Sequence, residues 1–276
     1  MTDLLEDGLA IAAERILRTA DAKEKALLSR RTAEAWRSLR KEGAMARVGT
    51  ADPPDRPSRP DAPLLKHPRE MPKRKPGSPT GRIALLHAVA HIELNAIDLH
   101  WDIVARFGDV DLPAGFHDDW VSAADDESKH FLLLSARLEA HGSHYGALDA
   151  HAGMWDAARD TSESLIARLA IVPMVLEARG LDVTPSMIET FRKADDPDSV
   201  SALETIYAEE VGHVAFGSKW FHFLCGRENC DPKERFHGLV QTHFKGSLKP
   251  PFNDEKRAEA GIPLDFYWPL VDLPSA

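Results

Sequence analysis

An all-α fold is predicted by three observations. Apolar residues recur at helical spacing along most of the chain, no strand–helix–strand alternation appears, and four long runs are bounded by proline, capping or glycine signals. With 276 residues, 43% of them hydrophobic, the chain can bury a sizeable core. The net charge of −10 and pI near 5.7 give no general attraction to nucleic acid or an anionic membrane. Cys225 and Cys230 form one C-x4-C with no partner pair, so neither a disulfide framework nor a zinc cluster is expected. Residues 1–20 mix acidic and basic positions among the apolar ones, unlike a signal peptide, and no run approaches the ~18 apolar residues of a membrane span. A cytoplasmic protein without a membrane partner is expected.

Four segments follow in order. Residues 1–50 form a helical extension in which Asp21 caps the second of two helices. Residues 51–79 hold nine prolines with Lys66, Arg69, Lys73, Arg74 and Lys75; no regular element survives that density, and the segment reads as an extended strap before it reads as a basic arm. Residues 80–245 carry the bundle. Its first helix, from Thr80 to near Gly108, is apolar nearly all round and therefore central. A second begins near Pro113 and ends before Gly142. After a Gly/His/Asp-rich connection over 142–159, a third is expected from Asp160 or Thr161 to Gly180, then a short helix from about Pro185 to Ala194 and a fourth long one from Pro197 to Cys225. A further helix is expected from Asp231 to about Phe244. Residues 246–276, with Pro250, Pro251, Pro263 and Pro269, read as an irregular tail lying on the bundle.

Two of these helices carry Glu-x-x-His, at Glu127–His130 and Glu210–His213, which sets a carboxylate and an imidazole one turn apart on one face. A glutamate precedes each at almost the same distance: Glu93 lies 34 residues before Glu127, and Glu177 lies 33 before Glu210. Among apolar neighbours a lone carboxylate is costly, so Glu93 must pair, take up a proton or bind a metal. Glu-x-x-His alone is weak evidence, because 19 glutamates and 13 histidines give about one chance match, and a third copy stands at Glu234–His237. The joint order on four helices is the stronger sign. Glu93, Glu127, His130, Glu177, Glu210 and His213 supply four carboxylates and two imidazoles, a mixed set suited to two iron ions, an Mn/Fe pair or two manganese ions rather than to zinc.

The runs His91–Asp98, Asp125–Phe131, His144–His151, Leu176–Asp182 and Glu209–Val214 resemble the ferritin-like superfamily of di-iron carboxylate proteins, closest to an uncharacterised bacterial ferritin-like domain family and more distantly tRNA hydroxylases and rubrerythrins. The resemblance covers residues 80–270 and implies a ferritin-like four-helix bundle with the six ligands above. It implies an oxidoreductase that activates O2 or peroxide to hydroxylate or oxidise a small-molecule substrate, with electrons from an external donor; a homodimer is one further expectation. Ferroxidase, iron-handling or peroxide-scavenging roles, and tRNA modification with tRNA as partner, stay open beside it. Asp126, Glu209 and Tyr207 are candidates to support the ligands from behind; the plainer readings are solvated acids and a core tyrosine.

Overall fold

The computed structural model describes residues 2–43, 47–67, 70–72, 75, 77–151 and 153–271. Over these residues the fold is all-α, with no strand and one isolated bridge between Leu65 and Ala150. No helix among them is long and apolar enough to cross a membrane. The chain divides into two compact units, Met1–Trp155 and Asp156–Ala276.

In the first unit, α1 (Leu9–Leu17) and α2 (Ala22–Lys41) precede the long pair α3 (Pro79–Arg106) and α4 (Ala114–Ala140). The starts follow the sequence signals. Asp21 Oδ1 accepts from Glu24 N at 2.8 Å, Ser78 Oγ accepts from Gly81 N at 3.1 Å with Pro79 in the first turn, and α4 opens directly after Pro113. α3 lies along α4, while α1 packs on α3 and α2 on α4. The core closes on Trp101 and Trp120, both fully buried; the Trp101 indole donates to Ser29 Oγ at 2.7 Å.

The proline-rich strap has no regular element over residues 47–63, as expected, yet it is held at many points. Prolines lack N–H groups, so strap carbonyls need donors from elsewhere. Side chains supply them: Arg18 to Asp52 O at 3.1 Å, Arg106 to Pro54 O at 3.2 Å, Trp155 to Asp55 O at 2.9 Å and Lys25 to Ser58 O at 2.9 Å. Beneath the strap, α3 presents a buried polar stripe, where Asn95 accepts from Arg59 at 2.7 Å, Asp98 pairs with the buried Lys25 and Asp102 with Arg106. Further along, Lys66 N donates to Ala150 O and Ala150 N to Leu64 O, joining the strap to the loop after α4. Lys66 is paired with Asp149 at 2.7 Å; Arg69, Lys73 and Arg74 of the basic stretch lie outside the described residues.

In the second unit the expected third helix is corrected. It neither starts at Asp160 nor stops at Gly180; α6 (Leu165–Ile171) passes through a π-helical segment, Val172–Glu177, straight into α7 (Ala178–Arg192), which absorbs the predicted short helix. Ser164 caps the start, with Oγ accepting from Ala167 N. Pro173 cannot donate to the carbonyl of Leu169, so the α pattern fails there and the turn widens. Pro185 leaves the carbonyl of Leu181 without its α-helical donor, and Asn253 Nδ2 takes that place at 3.3 Å. Gly180 has open space around its Cα and no positive φ, so nothing makes it a stop.

The connection over 142–159 contains a short helix, α5 (Gly153–Arg159). α8 (Pro197–Glu228) is capped by Asp196 and ends at left-handed Asn229, where Cys230 N reaches back to Cys225 O at 3.1 Å. α9 (Pro232–His243) follows its Asp231 cap. The tail is less irregular than expected, since it holds α10 (Asp254–Glu259) and α11 (Leu264–Tyr267). Buried Arg257 pairs with Asp182 at 2.7 Å and lies over the Phe252 and Tyr267 rings, which fixes the tail on α7.

Candidate metal centre

α3 and α4 bring three of the six sequence candidates together. Glu93 and Glu127 each direct an Oε2 at the same His130 Nδ1, at 3.2 and 3.4 Å, and one ligand atom from each residue lies within 4.8 Å of the others. Glu127 and His130 have no solvent exposure and Glu93 has 3%. The cause is local: Glu93 sits in the helix that is apolar nearly all round, and Glu-x-x-His places Glu127 and His130 on the α4 face turned toward it. Burial, then the neighbouring Glu127 carboxylate, pushes the Glu93 carboxyl well above its ordinary range, although the His130 contact pulls the other way.

A cation would relieve that electrostatic strain. One imidazole carries at most one positive charge and can donate its Nδ1 proton to only one of two carboxylates at a time. A divalent metal would neutralise both and take the imidazole nitrogen as a ligand. Two carboxylate oxygens and one nitrogen, buried and converging, suit iron or manganese. The donor set therefore fits.

In the second unit, Glu210 and His213 stand one turn apart on α8, with His213 Nδ1 3.9 Å from Glu210 Oε1 and both side chains buried. Glu177, also buried, is the last residue of the π segment, which packs on α8 within that unit. Pro173 of this segment sits against Gly217, one turn beyond His213; a Cβ on Gly217 would lie 2.4 Å from Pro173 Cγ. Sequence reasoning missed Gly217 and Pro173 as a site-shaping pair. The available signal was a proline inside an apolar helical run with a glycine four residues after His213.

The three supporting candidates are placed as follows. Asp126 is half-exposed and accepts from Lys129 Nζ at 3.0 Å; Glu209 is half-buried; the half-buried Tyr207 hydroxyl accepts from Asn253 Nδ2 at 2.7 Å and so ties α8 to the tail. The third Glu-x-x-His match behaves as a coincidence of composition, for His237 Nε2 donates to the carbonyls of Asp265 and Phe266 at 3.0 and 3.1 Å and pins the tail. His87 and His91 face the loop after α4. His87 Nε2 accepts from Gly146 N at 2.9 Å, and His91 is shared between Tyr145 and His151 O. Burial first, then the Arg59 charge, lower His91 to about 4, so it is neutral at pH 7.

A protein family described as "Protein of unknown function (DUF455)" matches residues 18–268. The chain belongs to this family. An uncharacterised protein of Haemophilus influenzae is 40% identical over 208 residues, which cover 74% of this chain and 72% of that protein. No solved structure matches the chain. As a member of the family, the chain carries both Glu-x-x-His helices and both preceding glutamates inside the matched residues.

Proposed function

We propose that this protein is a non-haem metal oxidoreductase with two iron ions, or an Mn/Fe or di-manganese pair, as its resident cofactor. The observation that carries the reading is the buried trio Glu93, Glu127 and His130, two carboxylates and one imidazole at 3% exposure or less. Those three residues would hold one metal, and Glu177, Glu210 and His213 the other. The step from one metal to two rests on the order Glu, Glu-x-x-His, Glu, Glu-x-x-His along the sequence and on the resemblance to ferritin-like di-iron proteins.

Such a pair, when bound, supplies reversible one-electron chemistry toward O2 or peroxide. The chain's own residues do the rest. Carboxylates can shift between one and two bound oxygens as metal charge changes, and the burial of Glu93, Glu127 and His130, each at 3% exposure or less, keeps bulk water from them. The expected activity is oxidation or hydroxylation of a small organic substrate with electrons from a separate reductase, in the cytoplasm.

Metal analysis tests this first. Purified protein should hold iron or manganese, and the Fe(II)-loaded form should consume O2 with a change in its optical spectrum. Wild-type protein that binds neither metal would remove the proposal; O2 consumption with storage of many irons per chain would redirect it to iron handling.

A further inference from the structure

The chain has two cysteines, Cys225 and Cys230, and the end of α8 sets them side by side. The helix closes on a left-handed residue, Asn229 (φ 52°, ψ 45°), where the chain turns back on itself. Cys230 N donates to Cys225 O at 3.1 Å, and Asn229 N donates to Gly226 O at 3.3 Å. These are the two bonds that define a Schellman turn, in which the side chain after the left-handed residue lies against the last turn of the helix. That contact is ordinarily made by two apolar side chains. Here it is made by two thiols.

The backbone limits how far apart they can be. With standard bond lengths, an N···O distance of 3.1 Å holds the Cα atoms of Cys225 and Cys230 within about 7 Å, and a disulfide spans ~4.4–6.8 Å between its Cα atoms. The side chains complete the approach, since the Cys225 thiol and the Cys230 sulfur share a hydrogen bond. A bond between them would close a turn that is already formed.

The two sulfurs are not equivalent. Cys225 has no solvent exposure, whereas Cys230 is half-buried between exposed Asn229 and Asp231. Burial first, then the Cys230 sulfur, push the Cys225 thiol up to about 12, so it keeps its proton at pH 7. A small oxidant arriving from solvent therefore meets Cys230, and Cys225 stands directly behind it.

We propose that Cys225 and Cys230 form a reversible disulfide on exposure to hydrogen peroxide, which makes the corner between α8 and α9 covalent. The Cys230 sulfur attacks one peroxide oxygen, the O–O bond breaks, and Cys230 becomes a sulfenic acid with release of water. The Cys225 sulfur then attacks the Cys230 sulfur; the S–O bond breaks, and the hydroxyl leaves with the Cys225 proton as a second water. Two thiols lose two electrons and two protons, and one peroxide becomes two waters.

The test treats the reduced full chain with a small excess of hydrogen peroxide and reads intact mass, thiol content in denaturant and a non-reducing tryptic map. The mass falls by about 2 Da, both thiols are lost, and dithiothreitol restores them. Trypsin cuts after Arg227, so the map shows the two cysteine peptides linked. Cys225→Ser removes the second sulfur, and the Cys230 sulfenic acid then accumulates and is labelled by dimedone, which wild type escapes. Cys230→Ser, a change at the half-buried position, leaves the Cys225 thiol intact at the same dose and serves if the buried substitution disturbs folding. The readout is a bond rather than an activity, so it stands or falls apart from the oxidoreductase reading. Wild-type chains that carry sulfinic acid at Cys230, that are joined chain to chain through Cys230, or that keep both thiols while peroxide remains in solution overturn the proposal. Loss of the Cys225 thiol in folded Cys230→Ser protein does so too.

Discussion

Glu93 and Glu177 occupy matching places in the two halves of the sequence, yet their backbones differ. Glu93 belongs to an uninterrupted α-helix of 28 residues, whereas Glu177 closes a π-helical turn between α6 and α7. The first is positioned by regular periodicity alone. The second depends on a proline that forbids the α pattern and a glycine, Gly217, that gives the proline room. The same residue type is thus presented by a rigid support in one unit and by a conditional one in the other. Substitutions far from any carboxylate should act on the second half only.

The largest effect should come from the rigid half. Glu127→Ala lowers metal affinity by at least about 100-fold, measured as metal bound per chain after dialysis against a competing chelator, without loss of helical signal. The next concerns pH. Burial lowers His117 to about 4, and its Nδ1 has no hydrogen-bond partner among the described residues. Its folded value lies below its ordinary 6.5, so the unfolded chain binds the extra proton between those values. Stability from this group is complete above about pH 6.5 and is lost as pH falls toward 4. Denaturant titrations should show wild type losing about 2–3 kcal/mol more than His117→Gln across that window.

Gly217→Ala breaks the conditional half. Its Cβ would meet the Pro173 ring, so the second unit should lose about 1–3 kcal/mol and part of its metal, while hydrogen exchange in α3 and α4 stays at the wild-type level. The same substitution at Gly180, where no atom lies within 4 Å of the added carbon, should stabilise by about 0.5–1 kcal/mol because alanine favours the helix. Opposite signs for one chemical change would sharpen the contrast between a helix that needs its glycine and one that tolerates it.

A final variant tests charge rather than shape. Glu93→Gln should raise the stability of metal-free protein by about 1 kcal/mol at pH 7.5, since it removes one of two adjacent buried carboxylates. The folded Glu93 value is raised, so the wild type loses stability as pH rises through it, and the advantage of the variant grows with pH. An advantage that shrinks instead would mean that the two carboxylates are compensated in some other way.

Much of this was legible in the sequence because its signals were local. Asp21 and Asp231 each stand just before a helix and cap it, and Glu-x-x-His needs only one turn to align its pair. The π segment was not legible, since the expected helix ran through Pro173 to a stop at Gly180 with a new start at Pro185, while the contacts that shape the real helix come from Gly217 and Asn253, 44 and 68 residues from the prolines they accommodate. The order of the strap was hidden for the same reason. Its prolines correctly forbade regular structure, but the donors that hold its carbonyls, Arg18, Lys25, Arg106 and Trp155, lie 33 to 100 residues away. Glu93 was found because an isolated acid in an apolar helix is conspicuous.

The central claim is that Glu93, Glu127 and His130 hold a metal ion. Anomalous diffraction at the iron and manganese edges, from crystals grown with protein purified from metal-supplemented cells, measures it directly. A peak at one of these edges about 2–2.5 Å from an oxygen of Glu93, an oxygen of Glu127 and a ring nitrogen of His130 is the result expected. Full-length protein with no anomalous peak at that trio, in crystals whose solution contained both metals, would contradict it.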